Sequence, residues 1–283
     1  MNRTLSDRSV ASLLLLLAVI GFCQGPATGD EPTESAATDG EEQYRQAAEH
    51  MRRFGMRRAD DGTPIKLIDR PLLSFGDSAR AYNRGTLWGW GKAGRPAAFM
   101  ELFRAGDEAD EWHHAVTLCS SERVILKASK ADIWTPSQAP PEMKQIPDAP
   151  APSETPARRL RQMKELARRF TAHEIWGSRI ELRLLVQPVH RYDDRPSKIV
   201  DGAVFVVAHD TNPEAVLLLD ALGASPAEAR WHYSLMRSGH AEIHVEFDEK
   251  EVWTCPLARV DAIGPTAAYS SFRLPVEAAT KSK

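Results

Sequence analysis

Two kinds of hydrophobic spacing succeed one another along this chain, and the succession occurs twice. Tyr44, Ala47, Ala48, Met51 and Phe54 make one helical stripe. Leu160, Met163, Leu166, Ala167 and Phe170 make a second, with Thr155 placed to cap it and Pro156 at the first helical position, where no N–H is needed. Beyond the second stripe Ile180, Leu182, Leu184 and Val186 alternate with Arg179, Glu181 and Arg183, which predicts a strand; Ile65, Lys66 and Leu67 repeat that pattern earlier in the chain. Thr86 to Trp90, Ala97 to Phe103, Ala203 to Ala208 and Ala215 to Leu222 are apolar without alternation. A run such as Val204, Phe205, Val206, Val207 predicts a sheet centre covered on both faces. Arg230 to Arg237, a turn at Ser238 and Gly239, and His240 to Phe247 predict a hairpin, followed across a polar turn by Glu251 to Cys255.

The landmarks of these segments recur at a spacing of about 117 residues. Arg52, Arg53, Phe54 return as Arg168, Arg169, Phe170; Pro71, Gly85 and Pro96 as Pro188, Gly202 and Pro213; Trp112 and Trp134 as Trp231 and Trp253. A repeat of this length predicts a domain-sized unit, and so an α+β fold made by tandem duplication of a helix plus an antiparallel β-meander, compatible with cystatin-like or nuclear-transport-factor-like topology. The expected boundaries are a unit over residues 42–135, a proline-rich linker over 136–155, a second unit over 156–264 and a tail over 265–283, with one last strand near Tyr269 to Leu274.

Residues 1–25 read as a secretory signal: Arg3 and Arg8 precede an apolar core from Val10 to Phe22 that is too short to span a bilayer. The expected location is therefore exported, periplasmic or secreted, with no transmembrane anchor after cleavage. Residues 26–41 are small and acidic and read as a disordered leader. Loss of the signal shifts the formal charge from -3 to about -4, which points away from nucleic acid as a partner. The expected partner is an envelope component or another protein. The second helix is strongly basic, through Arg158, Arg159, Arg161, Lys164, Arg168 and Arg169; most simply this is a solvated face, and otherwise it is a contact for an anionic polymer. Cys119 and Cys255 survive signal removal, and sequence leaves open whether they pair.

No Gly-x-Ser-x-Gly elbow, Walker loop, His-Glu-x-x-His helix or Cys-x-x-Cys pair occurs, so no cofactor is expected and catalysis has no familiar signature. His240, Glu242, His244 and Glu246 stand at every second position, which on a strand places all four on one face. With Trp231 and Tyr233 across the predicted hairpin they form a candidate ligand surface, or the centre of a metal-dependent hydrolase built on His240, Glu242 and His244. The simpler interpretation is a polar solvent face. His113 and His232 hold equivalent places in the two units and form a second candidate, a shared pH-sensitive interface.

Asp148 to Pro152, the basic helix, and Asp201 to Phe205 resemble uncharacterised exported proteins of planctomycete bacteria, over the stretch from about Pro71 to Pro256. The resemblance implies export and kinship of fold, and no functional residue is carried over from it. The leading functional expectation is an exported, non-catalytic binding or structural module. The alternatives are the metal-dependent hydrolase and a carrier of apolar ligands whose cavity would be lined by Phe205, Val207 and Leu217.

Overall fold

The computed structural model describes residues 34–77, 82–91, 94–104, 111–137, 142–259 and 263–276. The expected signal segment lies outside them. Glu42–Lys283 is one compact unit, and the unit before it contributes only the opening of the first helix to the described residues.

Two helices are found among the described residues, and each is followed by a succession of strands. The first succession is α1 (Glu34–Met51), β1 (Phe54–Arg58), β2 (Pro64–Ile65), β3 (Leu73–Asp77), β4 (Tyr82–Trp90), β5 (Ala98–Phe103), β6 (Glu111–Leu118), β7 (Val124–Ala128) and β8 (Ala131–Trp134). After β9 (Lys144–Gln145) come α2 (Pro156–Ala167), β10 (Phe170–Trp176), β11 (Ser178–Asp194), β12 (Ile199–His209), β13 (Asn212–Leu222), β14 (Arg230–Arg237), β15 (Glu242–Phe247), β16 (Lys250–Cys255) and β17 (Tyr269–Pro275).

This corrects the expected fold class. The described residues are 54% strand and 10% helix, with large antiparallel sheets and a half-barrel, and they do not form an α+β duplication of helix plus meander, whether cystatin-like or nuclear-transport-factor-like. Two physical reasons account for the difference. The helices stop early: Phe54 and Phe170, assigned to the helical stripes, each open a strand instead. The strands behind each helix also divide between sheets rather than forming one meander. The orders are β2-β1-β7-β8 in a four-stranded sheet, β17-β6-β5-β4-β3 in a five-stranded sheet, and β16-β15-β10-β11-β12-β13-β14-β9 in an eight-stranded one.

β11 is the joint of the largest sheet. Its first half pairs with β10, Leu182 opposite Ala172, while Arg183 to Leu185 already face β12. A register shift between Leu185 and His190 re-aims the strand, and His190 to Tyr192 then continue the pairing with β12. The predicted hairpin between Arg230 and Phe247 is a second correction. β14 pairs with β13 and β9, whereas β15 pairs with β10 and β16, so the two lie towards opposite ends of the sheet. The linker supplies β9 and buries Ile146, and α1 starts at Glu34, inside the stretch assigned to the leader.

Side-chain alternation then sets three cores. On β12 and β13, Ala203, Phe205, Val207, Leu217 and Leu219 face one way, towards α2, Trp231 and Phe247. Val204, Val206, Val216 and Leu218 face the other way, onto Phe75, Leu87 and Phe99 of the five-stranded sheet. That sheet's opposite side, with Trp88, Trp90, Met100 and Trp112, packs with α1, β1, β7 and Trp134. α2 is held at its N-terminal end: Thr155 Oγ1 accepts from the Arg158 N–H, as its position predicts, and Arg159 and Arg191 both donate to the buried Asp201. Arg159 is thus turned inward, away from the solvated basic face expected of it.

Phe170 closes the core beneath α2, edge-on to Tyr233 at 5.1 Å and tilted on Phe247 at 4.8 Å. We expect Phe170→Ala to cost about 3–5 kcal/mol of unfolding free energy in urea titration, through lost burial plus a cavity; a loss under about 1 kcal/mol would show that this core is not closed there.

Candidate functional site

The layer between the five- and eight-stranded sheets changes character at one end. Phe99 and Glu101 share the inward face of β5, and Glu214 shares that of β13 with Val216 and Leu218. The packed apolar layer therefore ends in two glutamates, one from each sheet, 4% and 1% exposed. Beyond them opens a cavity of about 560 Å³, the size of a small-molecule site.

Its walls come from distant parts of the chain. β6 supplies His113 and His114, β17 supplies Tyr269, Ser271 and Phe272, and the end of β10 supplies Trp176. The loop from Ser238 to Ala241 forms another side and is tightly clipped. Ser238 and Gly239 N–H groups donate to the Glu214 carbonyl at 2.8 and 3.0 Å. The Arg237 guanidinium donates to the carbonyls of Gly239, His240 and Ala241 and lies over the Tyr269 ring. A Cβ at Gly239 would meet Glu214 Oε2, so any larger residue there would have to displace that carboxylate.

Glu101 accepts a short hydrogen bond from the Ser238 hydroxyl, and among the described residues no cation pairs with it. Burial pushes its carboxyl well above the ordinary carboxylate range; the neighbouring Glu214 adds to this and Ser238 opposes it. Glu214 Oε1 accepts from Asn212 Nδ2 at 2.8 Å. Burial, together with Glu101 and Glu214, likewise raises the Tyr269 hydroxyl, whose oxygen lies 3.3 Å from His240 Nδ1. His240 Nε2 lies 3.2 Å from Ser271 Oγ, and burial lowers the pKa of this imidazole.

His114 leads from the cavity into the core. Its Nδ1 can only donate to the Phe272 carbonyl at 3.4 Å, so in the neutral ring Nε2 accepts from His50 Nε2, 2.9 Å away. Burial holds His50 at about 4 and His114 at about 3, with the nearby Arg53 adding for the former and His50 for the latter. Both rings are therefore neutral at physiological pH.

The residues singled out from sequence fall in three places. His240 reaches the cavity, but β15 begins only at Glu242, so His240 does not continue its face. Glu242, His244 and Glu246 do alternate there; His244 stacks on His173 at 4.8 Å and bonds Glu242 at 2.9 Å and Glu251 at 2.8 Å. The hydrogen bonds to the Glu251 and Glu242 carboxylates raise its pKa, and both ring nitrogens are occupied by them. Among the described residues no group of three or more His, Cys, Asp or Glu side chains is disposed to hold a metal. Trp231 and Tyr233 lie in the core under α2, away from His244. His113 stacks on Phe103 at the cavity, whereas His232 Nδ1 bonds the Arg230 carbonyl, so the two are in separate surroundings. Cys119 and Cys255 are free thiols.

Sequence reasoning missed Glu101, Glu214, Trp176, Arg237 and Tyr269. One signal was available: Glu101 interrupts the otherwise apolar run from Ala97 to Phe103, and a charge within a doubly covered strand needs a cavity or a partner. No family model, curated protein or solved structure matches the chain.

The histidine pair makes a signed prediction. A histidine whose folded pKa lies below its unfolded value of 6.5 stabilises the fold above that value and withdraws the contribution as pH falls. Glu101, raised in the fold, acts with the opposite sign above pH 4.5, so the histidine effect is read as a difference between proteins. Between pH 6 and 4, wild type should lose about 1.4 kcal/mol more per pH unit than His114→Phe; parallel pH profiles would mean that His114 takes up its proton in the folded state. The geometry at His244 also leads us to expect no stoichiometric transition metal in protein purified without added metal. Elemental analysis at about one metal per chain, lost in His244→Ala, would contradict that.

Proposed function

We propose that this protein is an exported, non-catalytic binding module, and that the cavity between the sheets is where it binds. The observation that carries the proposal is the opening of a preformed cavity where a packed intersheet layer gives way to Glu101 and Glu214. Two large apolar side chains stand at that cavity while remaining open to solvent, Trp176 at 53% and Leu257 at 49%. Large exposed apolar groups beside a concave, partly polar surface are the usual composition of a ligand site.

Export is supported by the charged and apolar segments of residues 1–25 and by the resemblance to exported planctomycete proteins. No helix among the described residues is long and apolar enough to cross a membrane. The partner class we favour is a small envelope component rather than nucleic acid, in keeping with the negative formal charge. The carrier alternative loses its support, because Phe205, Val207 and Leu217 are packed core and none of them lines the cavity. The hydrolase alternative is not favoured either, since His240 is turned away from the Glu242 and His244 face.

Trp176 gives the test a direct readout. Five of the seven tryptophans are at most 3% exposed and Trp253 is half-buried, which leaves Trp176 as the residue most open to a quencher. Protein purified under native conditions should carry a co-purifying small molecule in native mass spectrometry. Stripping it should raise acrylamide quenching, and Trp176→Phe should abolish that increase. A bare mass, with quenching unchanged by any added envelope extract, would end the binding proposal.

A further inference from the structure

At its open side the cavity holds a flat aromatic group on a rigid mount. Trp176 is the last residue of β10 and pairs with Ser178 across Gly177, whose φ of 74° lets a single residue turn the chain into β11. The indole is thus carried on a hairpin end, and 53% of the residue stays open to solvent. Leu257, 49% exposed, stands in a segment clipped to the neighbouring loop by the Ala258 N–H, which donates to the His240 carbonyl at 2.8 Å. Both side chains line the cavity, and neither belongs to any of the three cores. Their exposure is therefore not a by-product of packing.

The polar walls favour neither charge. Glu101 and Glu214 bring acids, and Arg259 and Arg273 bring bases. All four are engaged within the protein. Glu101 accepts from the Ser238 hydroxyl and Glu214 from Asn212 at 2.8 Å; Arg273 pairs with Glu111 at 3.9 Å, and Arg259 has its own interactions. An ion entering here meets both signs and finds the counter-charges occupied, so it loses hydration without a full return. A hydroxyl fares differently. It donates as well as accepts, and a carboxyl or hydroxyl oxygen that holds one hydrogen bond retains capacity for another. His240 links two further hydroxyls of this kind, with Nδ1 3.3 Å from the Tyr269 oxygen and Nε2 3.2 Å from Ser271 Oγ.

Resting on the binding proposal above, we infer that the cavity takes a neutral pyranose oligosaccharide, one ring lying flat on the Trp176 indole while its hydroxyls bond the polar walls. A pyranose has the two characters that the site offers. Its axial C–H groups make an apolar face suited to the electron-rich face of an indole, and its hydroxyls are donors and acceptors at once. Leu257 adds non-directional burial beside the stacked ring. A cavity of about 560 Å³ has room for a short oligosaccharide, such as the end of an envelope polysaccharide.

Isothermal titration of the mature protein, stripped of any co-purified molecule, tests this with trisaccharides of three charge types. Cellotriose, maltotriose and tri-N-acetylchitotriose are neutral, fully deacetylated chitotriose is cationic, and trigalacturonate is anionic. The best neutral trimer should bind more tightly than either charged one by about tenfold or more. Tri-N-acetylchitotriose as the best ligand assigns the site to an N-acetylated amino-sugar polymer, and either glucose trimer assigns it to a glucan. Binding should shift tryptophan emission to the blue. In Trp176→Phe that shift should vanish while affinity stays within about threefold, because a flat ring remains, whereas Trp176→Ala should lose about tenfold with an unchanged thermal melt. A charged trimer that binds as tightly as the best neutral one, failure of all the trimers, or full affinity in folded Trp176→Ala overturns the inference. If that variant does not fold, the ranking on wild type decides. The binding proposal is judged separately, by the co-purified mass and the Trp176 quenching: a co-purified molecule that is not a carbohydrate leaves it standing and ends this inference.

Discussion

The fold depends on one constraint: β12 and β13 are apolar on both faces and cannot meet water on either. Eleven residues each, they alternate between Phe205, Val207 and Leu217 on one side and Val204, Val206 and Leu218 on the other. The first set is covered within its own sheet, by the strands that β11 brings round and by α2. The second set needs an outside partner, and the five-stranded sheet provides it through Phe75, Leu87 and Phe99. Burying a side chain of this size contributes about 1.5–3 kcal/mol relative to exposure, so pairing the two sheets outweighs any arrangement that leaves either face wet.

Polar groups placed inside such a structure must bring their own partners, and the protein does this in two different ways. Asp201 is met by Arg159 and Arg191, and Asp220 by Arg95 and the Tyr192 hydroxyl. These networks are complete, and they tie α2 to the sheet and the Arg95 loop to β13. Glu101 is treated otherwise. It takes one hydroxyl as a partner and lines a cavity, and burial raises its pKa well above the usual carboxylate range. Among the described residues two buried acids are matched by arginine, whereas Glu101 has no cation paired with it.

Much of this was legible in the sequence, for identifiable reasons. Thr155 followed by Pro156 and a stripe through Met163 and Leu166 gave α2 its start and its buried face, because caps and helical periodicity are local. The continuous runs of β12 and β13 foretold double coverage. What the sequence concealed was non-local. Ser238 and Gly239 have the composition of a tight turn, yet their N–H groups go to Glu214 and the strands on either side part company. Once that hairpin fails, Trp231 and Tyr233 no longer stand across from His244, and the expected surface comes apart. The helical stripes ran one step too far because an aromatic residue at the next helical position serves equally well as the first buried residue of a strand.

The wall of the cavity opposite the glutamates is β17, which lies against β6 from the other end of the fold: Phe272 and His114, stacked at 4.6 Å, are 158 residues apart in sequence. A pairing of that separation carries a large loop-closure cost and is among the late contacts of a folding chain. The cavity therefore does not exist in any partly folded form that has the sheets but lacks their last strand. A ligand seated there would bind the finished molecule alone, so its occupancy would draw the folding equilibrium forward at its final step. The supply of such a ligand would then govern how much intact protein accumulates, as well as how much is in use.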